Sequence, residues 1–405
     1  MLRGMSNEAA AVTADAQEIA QELTVLRHAV HREPELGLVL PRTQEKVLGA
    51  LDGLGLELTL GKGLNSVTAV LRGAKPGPTV LLRGDMDALP LQETAVHDVS
   101  PSRFDGVMHA CGHDLHTSML VGAAKLLAAR KESLAGDVVF MFQPGEEGDD
   151  GAGHMLAEGV LQATGTKPSA AYAIHVSSGL VPCGVFTARP ETLMASCSDL
   201  RVTVRGKGGH GSAPARANDP IPVACEMVTA IQTAVTRKFD IFDPIVVTVG
   251  SFHGGTKENI IPETVHFDAT IRTFSPAAQE KVRPVLLDLV QGIARAHGVE
   301  VEAEFHGLYP VTVNDAAAFD TVQRTVGELF GERRFVRMPN PLAGAEDFSR
   351  VLQEVPGAMV FLGATIDGRD YQTAPFNHSP EAAFADRVLP DGAALLTQLA
   401  LGHLG

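Results

Sequence analysis

The chain has 405 residues, room for about two to three domains rather than one small core. It is 45% hydrophobic and 20% charged, which excludes a disordered or fibrous chain. Its 33 basic and 48 acidic side chains leave a formal charge of −15, so the surface repels phosphate backbones and no nucleic acid partner is expected.

In chain order, the opening stretch 1–20 lacks the apolar run of a signal peptide and carries Glu8, Asp15 and Glu18, which predicts a cytoplasmic protein. Ile19, Leu23, Leu26 and Val30 stand at helical spacing and predict an N-terminal helix over 15–31. A second helix follows Pro41 through Val47, Leu48 and Leu51 and stops before Gly53 and Gly55. Short β-type runs at 66–71 and 79–83 are bounded by Gly and Pro. The run 115–130, rich in Leu and Ala, predicts a helix, and 137–143 and 170–176 predict compact apolar strands. This alternation points to an α/β layer with helices on a mostly parallel sheet.

Residues 199–305 follow another pattern. Leu200, Val202 and Val204 alternate with polar partners, as do Val265, Phe267, Ala269 and Ile271, so both segments predict half-exposed strands. With helices over 220–237 and 276–297 and strands over 245–252 and 299–305, the order is β-α-β-β-α-β, the split βαβ or ferredoxin-like arrangement. Signals of α/β type resume at 319–330 and 358–363 and close with a helix near 389–401. One α/β domain over 1–190 and 306–405, interrupted by an inserted domain over 191–305, accounts for the pattern. Four cysteines (Cys111, Cys183, Cys197 and Cys225) make no disulfide framework in so long a chain. No segment reaches the roughly 18 uninterrupted apolar residues of a membrane span, so no membrane partner is expected.

Candidate chemistry gathers after the apolar strands. Cys111 and His113 can face one centre only on a loop, and Gly112 between them permits one; thiolate and imidazole suit zinc and its neighbours. Alone, the pair reads as a buried thiol and a helix-capping histidine; the groups that follow turn it toward metal. Asp85 and Asp87 lie just past the strand 79–83, at the carboxyl edge where α/β sheets build their sites. Glu146 and Glu147 follow the strand 137–143, and on non-helical chain adjacent side chains diverge. One can then hold a metal while the other faces a water, the division that metal-assisted hydrolysis needs. His175 ends an apolar run and His378 lies in the loop Phe376-Asn377-His378-Ser379-Pro380. One cysteine, three histidines and a glutamate suit two metals sharing a water, about 3.5–4 Å apart.

Gly206-Lys207-Gly208-Gly209-His210-Gly211 matches a dinucleotide-binding spacing, but Pro214 and the polar run after it delay the helix, which rejects that reading. His210 in this exposed loop is instead placed to donate a hydrogen bond to a substrate. Arg272, on the polar face of its strand, is either a surface arginine or a fork for a substrate carboxylate.

Seven segments resemble, in order, one family. They are Arg83-Gly84-Asp85-Met86-Asp87-Ala88-Leu89-Pro90, 109–116, 143–148, 208–214, Asn259-Ile260-Ile261-Pro262, Gly344-Ala345-Glu346-Asp347-Phe348 and Asn377-His378-Ser379-Pro380. They are similar to the amidohydrolase branch of the aminoacylase and glutamate-carboxypeptidase metallopeptidases, which includes hippurate hydrolase, N-acyl-amino-acid hydrolases and auxin–amino-acid conjugate hydrolases. The resemblance implies a dinuclear-metal aminopeptidase-like catalytic domain with an inserted lid and dimerisation domain. It implies that Cys111, His113, Glu147, His175 and His378 hold two divalent ions (zinc, manganese, cobalt or nickel), with Cys111 or His113 bridging. Glu146 becomes the general base and later proton donor, and Asp87 orients a ligand. Asp85, where the wider family has a histidine ligand, stays outside the metal shell. His210 becomes the oxyanion donor, typically across a homodimer, and Asn259, Arg272 and Gly344 bind substrate. The implied reaction is hydrolysis of N-acyl or N-aroyl amino acids. A two-metal phosphoesterase, a catalytically inactive metal-binding relative, and a dipeptidase or carboxypeptidase of the same family are the alternatives.

Overall fold

The computed structural model describes residues 2–94 and 101–404. Two helices, α1 (Leu2–Glu18) and α2 (Ala20–His31), stand where one was expected over 15–31, because the chain leaves helical geometry at Ile19 (φ −92°, ψ 3°). Then come α3 (Pro41–Leu51), β1 (Glu57–Leu60), β2 (Val67–Arg72), β3 (Lys75–Asp85), α4 (His113–Ala128), β4 (Ala135–Gln143), α5 (Gly151–Ala157), β5 (Ala170–Ser177), β6 (Phe186–Ala188) and β7 (Glu191–Met194). The next stretch holds β8 (Cys197–Arg205), β9 (Gly209–His210), α6 (Pro220–Lys238), β10 (Ile245–Gly254), β11 (Ile260–Ile261), β12 (Thr264–Thr273), α7 (Pro276–His297) and β13 (Glu300–Tyr309). The chain closes with β14 (Thr312–Asn314), α8 (Ala316–Phe330), β15 (Phe335–Arg337), α9 (Phe348–Glu354), β16 (Gly357–Gly363) and α10 (Leu389–Leu404).

These elements form two compact units, Met1–Leu193 with Val313–Asn340 and Arg350–Gly405, and Met194–Thr312 with Pro341–Ser349. The segment Pro341–Ser349 groups with the second unit, where the sequence pattern assigned it to the first. The reason is local: Ala195 N–H donates to the Leu342 carbonyl at 2.9 Å, and Met194 bridges Leu342. Among the described residues no helix is long and apolar enough to cross a membrane.

The first unit is built on an eight-stranded sheet of order β1-β2-β4-β3-β5-β16-β6-β15. Its centre is parallel (β4 with β3, β3 with β5, β5 with β16), and β1 and β2 add an antiparallel edge. Parallel strands are covered on both faces and read as apolar runs. Accordingly β5 and β16 are buried throughout, and α4 is buried almost all round, packed on α10, α2 and β3. The register sets Asp85 opposite Gln143 and His175 opposite Phe361, so the carboxyl ends of four central strands lie side by side.

The second unit has a four-stranded antiparallel sheet of order β10-β12-β8-β13, the split βαβ topology. Val265, Phe267, Ala269 and Ile271 of β12 are buried against α6 (Met227, Ile231) and α7 (Val282, Leu286, Val290). Each helix starts on a side-chain cap followed by proline: Asp219 accepts from Ile221 N–H and Ser275 from Ala278 N–H.

A buried ionic cluster ties α2 to the start of α4. Arg27 Nε donates to Asp114 Oδ2 at 2.7 Å, and His31 Nδ1 lies 2.9 Å from the same oxygen. His31 Nε2 is 3.2 Å from Glu93, and Arg27 Nη1 donates to Asp386 at 2.8 Å. Burial alone would lower the His31 pKa, but Asp114 foremost and Glu93 outweigh it and raise it. A histidine raised in the folded state stabilises fully below its unfolded pKa, about 6.5, and that contribution is lost as pH rises through the folded value. Urea denaturation from about pH 6 to about pH 9 should therefore show a loss of stability with rising pH that His31→Gln lacks. Equal pH slopes for the two proteins would remove His31 from the account.

Candidate metal centre

The carboxyl ends of β3, β4 and β5 deliver Asp85, the Glu146–Glu147 turn and His175 to one place, and the turn before α4 adds Cys111 and His113. Gly112 makes that turn in the left-handed region (φ 85°), where a Cβ would stand 2.3 Å from Val176 Cγ2, so only glycine fits. His378 arrives from the loop after β16, also left-handed (φ 69°), with its N–H donating to the Ala110 carbonyl at 2.9 Å. A non-glycine residue held there costs about 1–3 kcal/mol, and such strain clusters at functional sites.

The ligand-type atoms converge. Cys111 Sγ is 3.4 Å from His175 Nε2 and 3.2 Å from His378 Nε2, and His378 Nε2 is 3.1 Å from Glu147 Oε1. His175 Nδ1 donates to the Val176 carbonyl at 2.7 Å, which leaves Nε2 as a lone-pair donor toward Cys111. Three overlapping sets have all their ligand atoms within 4.8 Å of one another: Cys111–His113–His175, Cys111–Glu147–His378 and His113–Glu146–Glu147. All five residues expected to hold metal thus belong to one cluster in the first unit.

Asp87 organises it. Its Oδ1 accepts from Glu146 N–H and its Oδ2 from Glu147 N–H, both at 3.0 Å, and Oδ1 stands 3.4 Å from His113 Nδ1. The two backbone bonds fix the turn, and a carboxylate oxygen of Glu146 and one of Glu147 lie within 4.8 Å of each other and of a His113 ring nitrogen.

The cluster contains buried polar atoms without hydrogen bonds. Neither ring nitrogen of buried His113 has a hydrogen-bond partner among the described residues, although Asp85 (3.7 Å), Asp87 (3.4 Å) and Glu147 (3.9 Å) surround it. Burial opposes a charge on His113, but Asp85 first and then Cys111 hold its pKa well above the ordinary histidine value. Burial pushes the Cys111 thiol up to about 12, with the Glu147 charge adding to it. His175 is lowered well below the usual value by burial and by His116. A thiol so raised ionises only against added positive charge, and buried Glu147 Oε1 likewise lacks a hydrogen bond. Soft and borderline donors with orphaned polar atoms fit divalent cations.

The remaining expected residues lie in the second unit. His210 ends β9, where its Nδ1 accepts from Ser212 N–H at 3.1 Å, leaving Nε2 to carry the proton. Gly211 N–H donates to the Asn259 carbonyl at 2.8 Å, so His210 and Asn259 share the junction of β9 and β11. Arg272 pairs across to Val246 on β10, and its buried Nη1 has no hydrogen bond among the described residues. Gly344 lies beside Met194, whose Cε would be 3.2 Å from an added Cβ.

Sequence reasoning passed over three neighbours of the cluster. His116, three residues after His113 on the same helical face, touches Asp85; Arg83 also holds Asp85; and Asn377 Nδ2 donates to the carbonyls of Cys111 (3.2 Å) and Val176 (3.0 Å). The i, i+3 spacing of the two histidines was the available signal.

Residues 81–402 match the model of peptidase family M20/M25/M40, and the chain belongs to that family of metal-dependent hydrolases. It is 38% identical over 392 residues to thermostable carboxypeptidase 2 of Saccharolobus solfataricus, covering 96% of each chain. It is 34% identical to the IAA-amino acid hydrolase ILR1-like 4 of Arabidopsis thaliana, over 94% of this chain and 85% of that one. A solved dinuclear metal-binding peptidase of family M20, the YXEP protein of Bacillus subtilis, superposes with a TM-score of 0.82 at 28% identity, over 96% of this chain and 99% of that one.

Replacing Asp87 by alanine should leave two amides without an acceptor, at a cost of about 1–3 kcal/mol for each that stays buried. Equilibrium urea denaturation reads this directly. An Asp87→Ala protein as stable as the parent would show that the turn does not hang on that carboxylate.

Proposed function

We propose that this member of peptidase family M20/M25/M40 cleaves the amide bond of N-acyl or N-aroyl amino acids, releasing a carboxylic acid and a free amino acid. The observation that carries the proposal is the Glu146–Glu147 turn, anchored on Asp87 beside a thiol and three imidazoles. Cys111, His113, Glu147, His175 and His378 would hold two divalent cations, with zinc, cobalt or nickel favoured by the thiolate and manganese served by the oxygens and imidazoles. Such ions, when bound, supply a polarised amide carbonyl and a water of lowered pKa.

The chain's own residues do the rest. Glu146, next to the ligand Glu147, takes a proton from the attacking water and returns it to the amide nitrogen as the C–N bond breaks. Asp87 orients His113 and the turn. In the second unit, His210 is assigned to the developing oxyanion, for which its Nε2–H is suited, and Asn259, Arg272 and Gly344 to the substrate. The unpartnered Arg272 Nη1 supports a carboxylate as the group it receives. Cleavage of peptides from the carboxyl end is the second reading, favoured by the carboxypeptidase relative; the two reactions break the same kind of bond and differ in the acyl part.

The second unit is also assigned to homodimer formation. β10 is an edge strand without Lys, Arg, Asp or Glu, whereas the opposite edge, β13, carries Glu300, Glu302 and Glu304. Charges guard an edge against pairing, so β10 is the open one.

Glu146→Gln should retain the metal content of the parent and lose about 10²–10⁴-fold in turnover of N-acetyl, N-benzoyl or longer N-acyl amino acids. Undiminished turnover would sink the assignment, and faster cleavage of peptides than of N-acyl amino acids would favour the second reading. For the dimer, sedimentation of the parent as a dimer and at least about tenfold weaker association of Thr248→Lys on β10 are expected. A monomeric parent at micromolar concentration would reject it.

A further inference from the structure

Asp85 and His116 look like two more metal ligands. Both are buried, their ligand atoms lie within 4.8 Å of those of His113, and Asp85 Oδ2 is 3.7 Å from His113 Nε2. Their hydrogen bonds say otherwise. Asp85 Oδ2 accepts from Arg83 Nη1 and Oδ1 faces His116 Nδ1, both at 2.5 Å, so each oxygen is taken by a cationic or N–H donor. His116 Nε2 accepts from Val176 N–H at 2.7 Å, which puts the ring's proton on Nδ1, pointing at Asp85. A lone pair engaged by a backbone N–H is not offered to a cation.

The chain of bonds ends on a ligand. Val176 follows His175, and its carbonyl accepts both His175 Nδ1–H (2.7 Å) and Asn377 Nδ2–H (3.0 Å), while Asn377 precedes His378. Val176 N–H is therefore the point at which Asp85 and His116 grip the residue whose carbonyl orients His175. Resting on the metal centre proposed above, we infer that Asp85 and His116 are positioning residues for the ligand His175, acting through the backbone of Val176, and are not metal ligands.

The test is metal titration of the apo-protein with Co²⁺, followed by equilibrium dialysis and by the absorption of the thiolate–cobalt and ligand-field bands. Asp85→Asn and His116→Ala should still take up two equivalents at saturation. One equivalent should bind about 10–100-fold more weakly, with altered ligand-field bands and the thiolate band retained. His116→Gln, whose amide offers a carbonyl to Val176 N–H and an N–H to Asp85, should stand closer to the parent than His116→Ala. Saturation at one equivalent in Asp85→Asn or in both His116 variants would make the residue a ligand and overturn the inference, as would unchanged affinity throughout. Should Asp85→Asn fail to fold, with the Arg83 charge no longer balanced by Asp85, the two His116 variants decide. A parent that binds fewer than two equivalents would sink the metal centre itself, and the inference with it.

Discussion

Everything at the candidate metal centre depends on one buried carboxylate accepting two adjacent backbone amides. Asp87, through Glu146 N–H and Glu147 N–H, joins the ends of two parallel strands and at the same time faces His113 on α4. That junction is possible only because β3 and β4 run in the register that sets Asp85 opposite Gln143. A slip of one residue would turn Asp87 to the other face of the sheet and leave both amides unpaired. The apolar strand interiors that fix the register are thus part of the site's geometry, although none of them touches it.

The charge distribution follows from the same packing. Two arginines, Arg27 and Arg83, are among the largest fully buried side chains; Arg27 pairs with Asp114 and Asp386, and Arg83 with Asp85. Beside the Arg83-paired Asp85, the acidic groups around His113 are Asp87, Glu146 and Glu147. Asp87 is stabilised by backbone amides, whereas Glu147 Oε1 has no hydrogen bond. Desolvated carboxylates favour nearby positive charge, and that preference is concentrated where thiol and imidazole lone pairs meet. The chain-wide charge of −15 has no part in this; a few buried pairs decide which carboxylates remain available.

The sequence made much of this legible because the groups that do chemistry follow apolar strands at short distances. The runs 79–83, 137–143 and 170–176 mark β3, β4 and β5, and Asp87, Glu147 and His175 fall just past or within their ends. Cys111 and His113 were readable through Gly112, whose left-handed turn is the geometry the pair requires. The β-α-β-β-α-β order of the second unit came through alternation and capped helices. What was hidden depends on tertiary pairing. Nothing near Arg83 in sequence tells that its guanidinium meets Asp85 rather than water. His116 lies on a helix buried nearly all round, where helical periodicity carries no contrast between faces. The two-helix N-terminus was missed because the apolar spacing runs on through Ile19 and only the backbone angles show the break. Pro341–Ser349 was misassigned because an irregular segment has no pattern, and its hydrogen bonds to 194–195 are long-range.

Val176 shows how closely the parts are interlocked. Its side chain leaves no room for a Cβ at residue 112, which makes glycine obligatory between two proposed ligands. Its N–H engages His116, and its carbonyl receives His175 and Asn377. Four of the five proposed ligands (Cys111, His113, His175 and His378) are therefore placed by, or next to a residue placed by, one apolar position in β5. Interiors are packed too tightly for such a position to shift alone, so a change of volume at Val176 would disturb imidazoles and thiol together. Carbonyl, amide and isopropyl group each serve a different neighbour. A residue with no chemistry of its own thereby sets the spacing of the groups that have it, and the geometry of the cluster is a property of the β5 backbone as much as of its ligands.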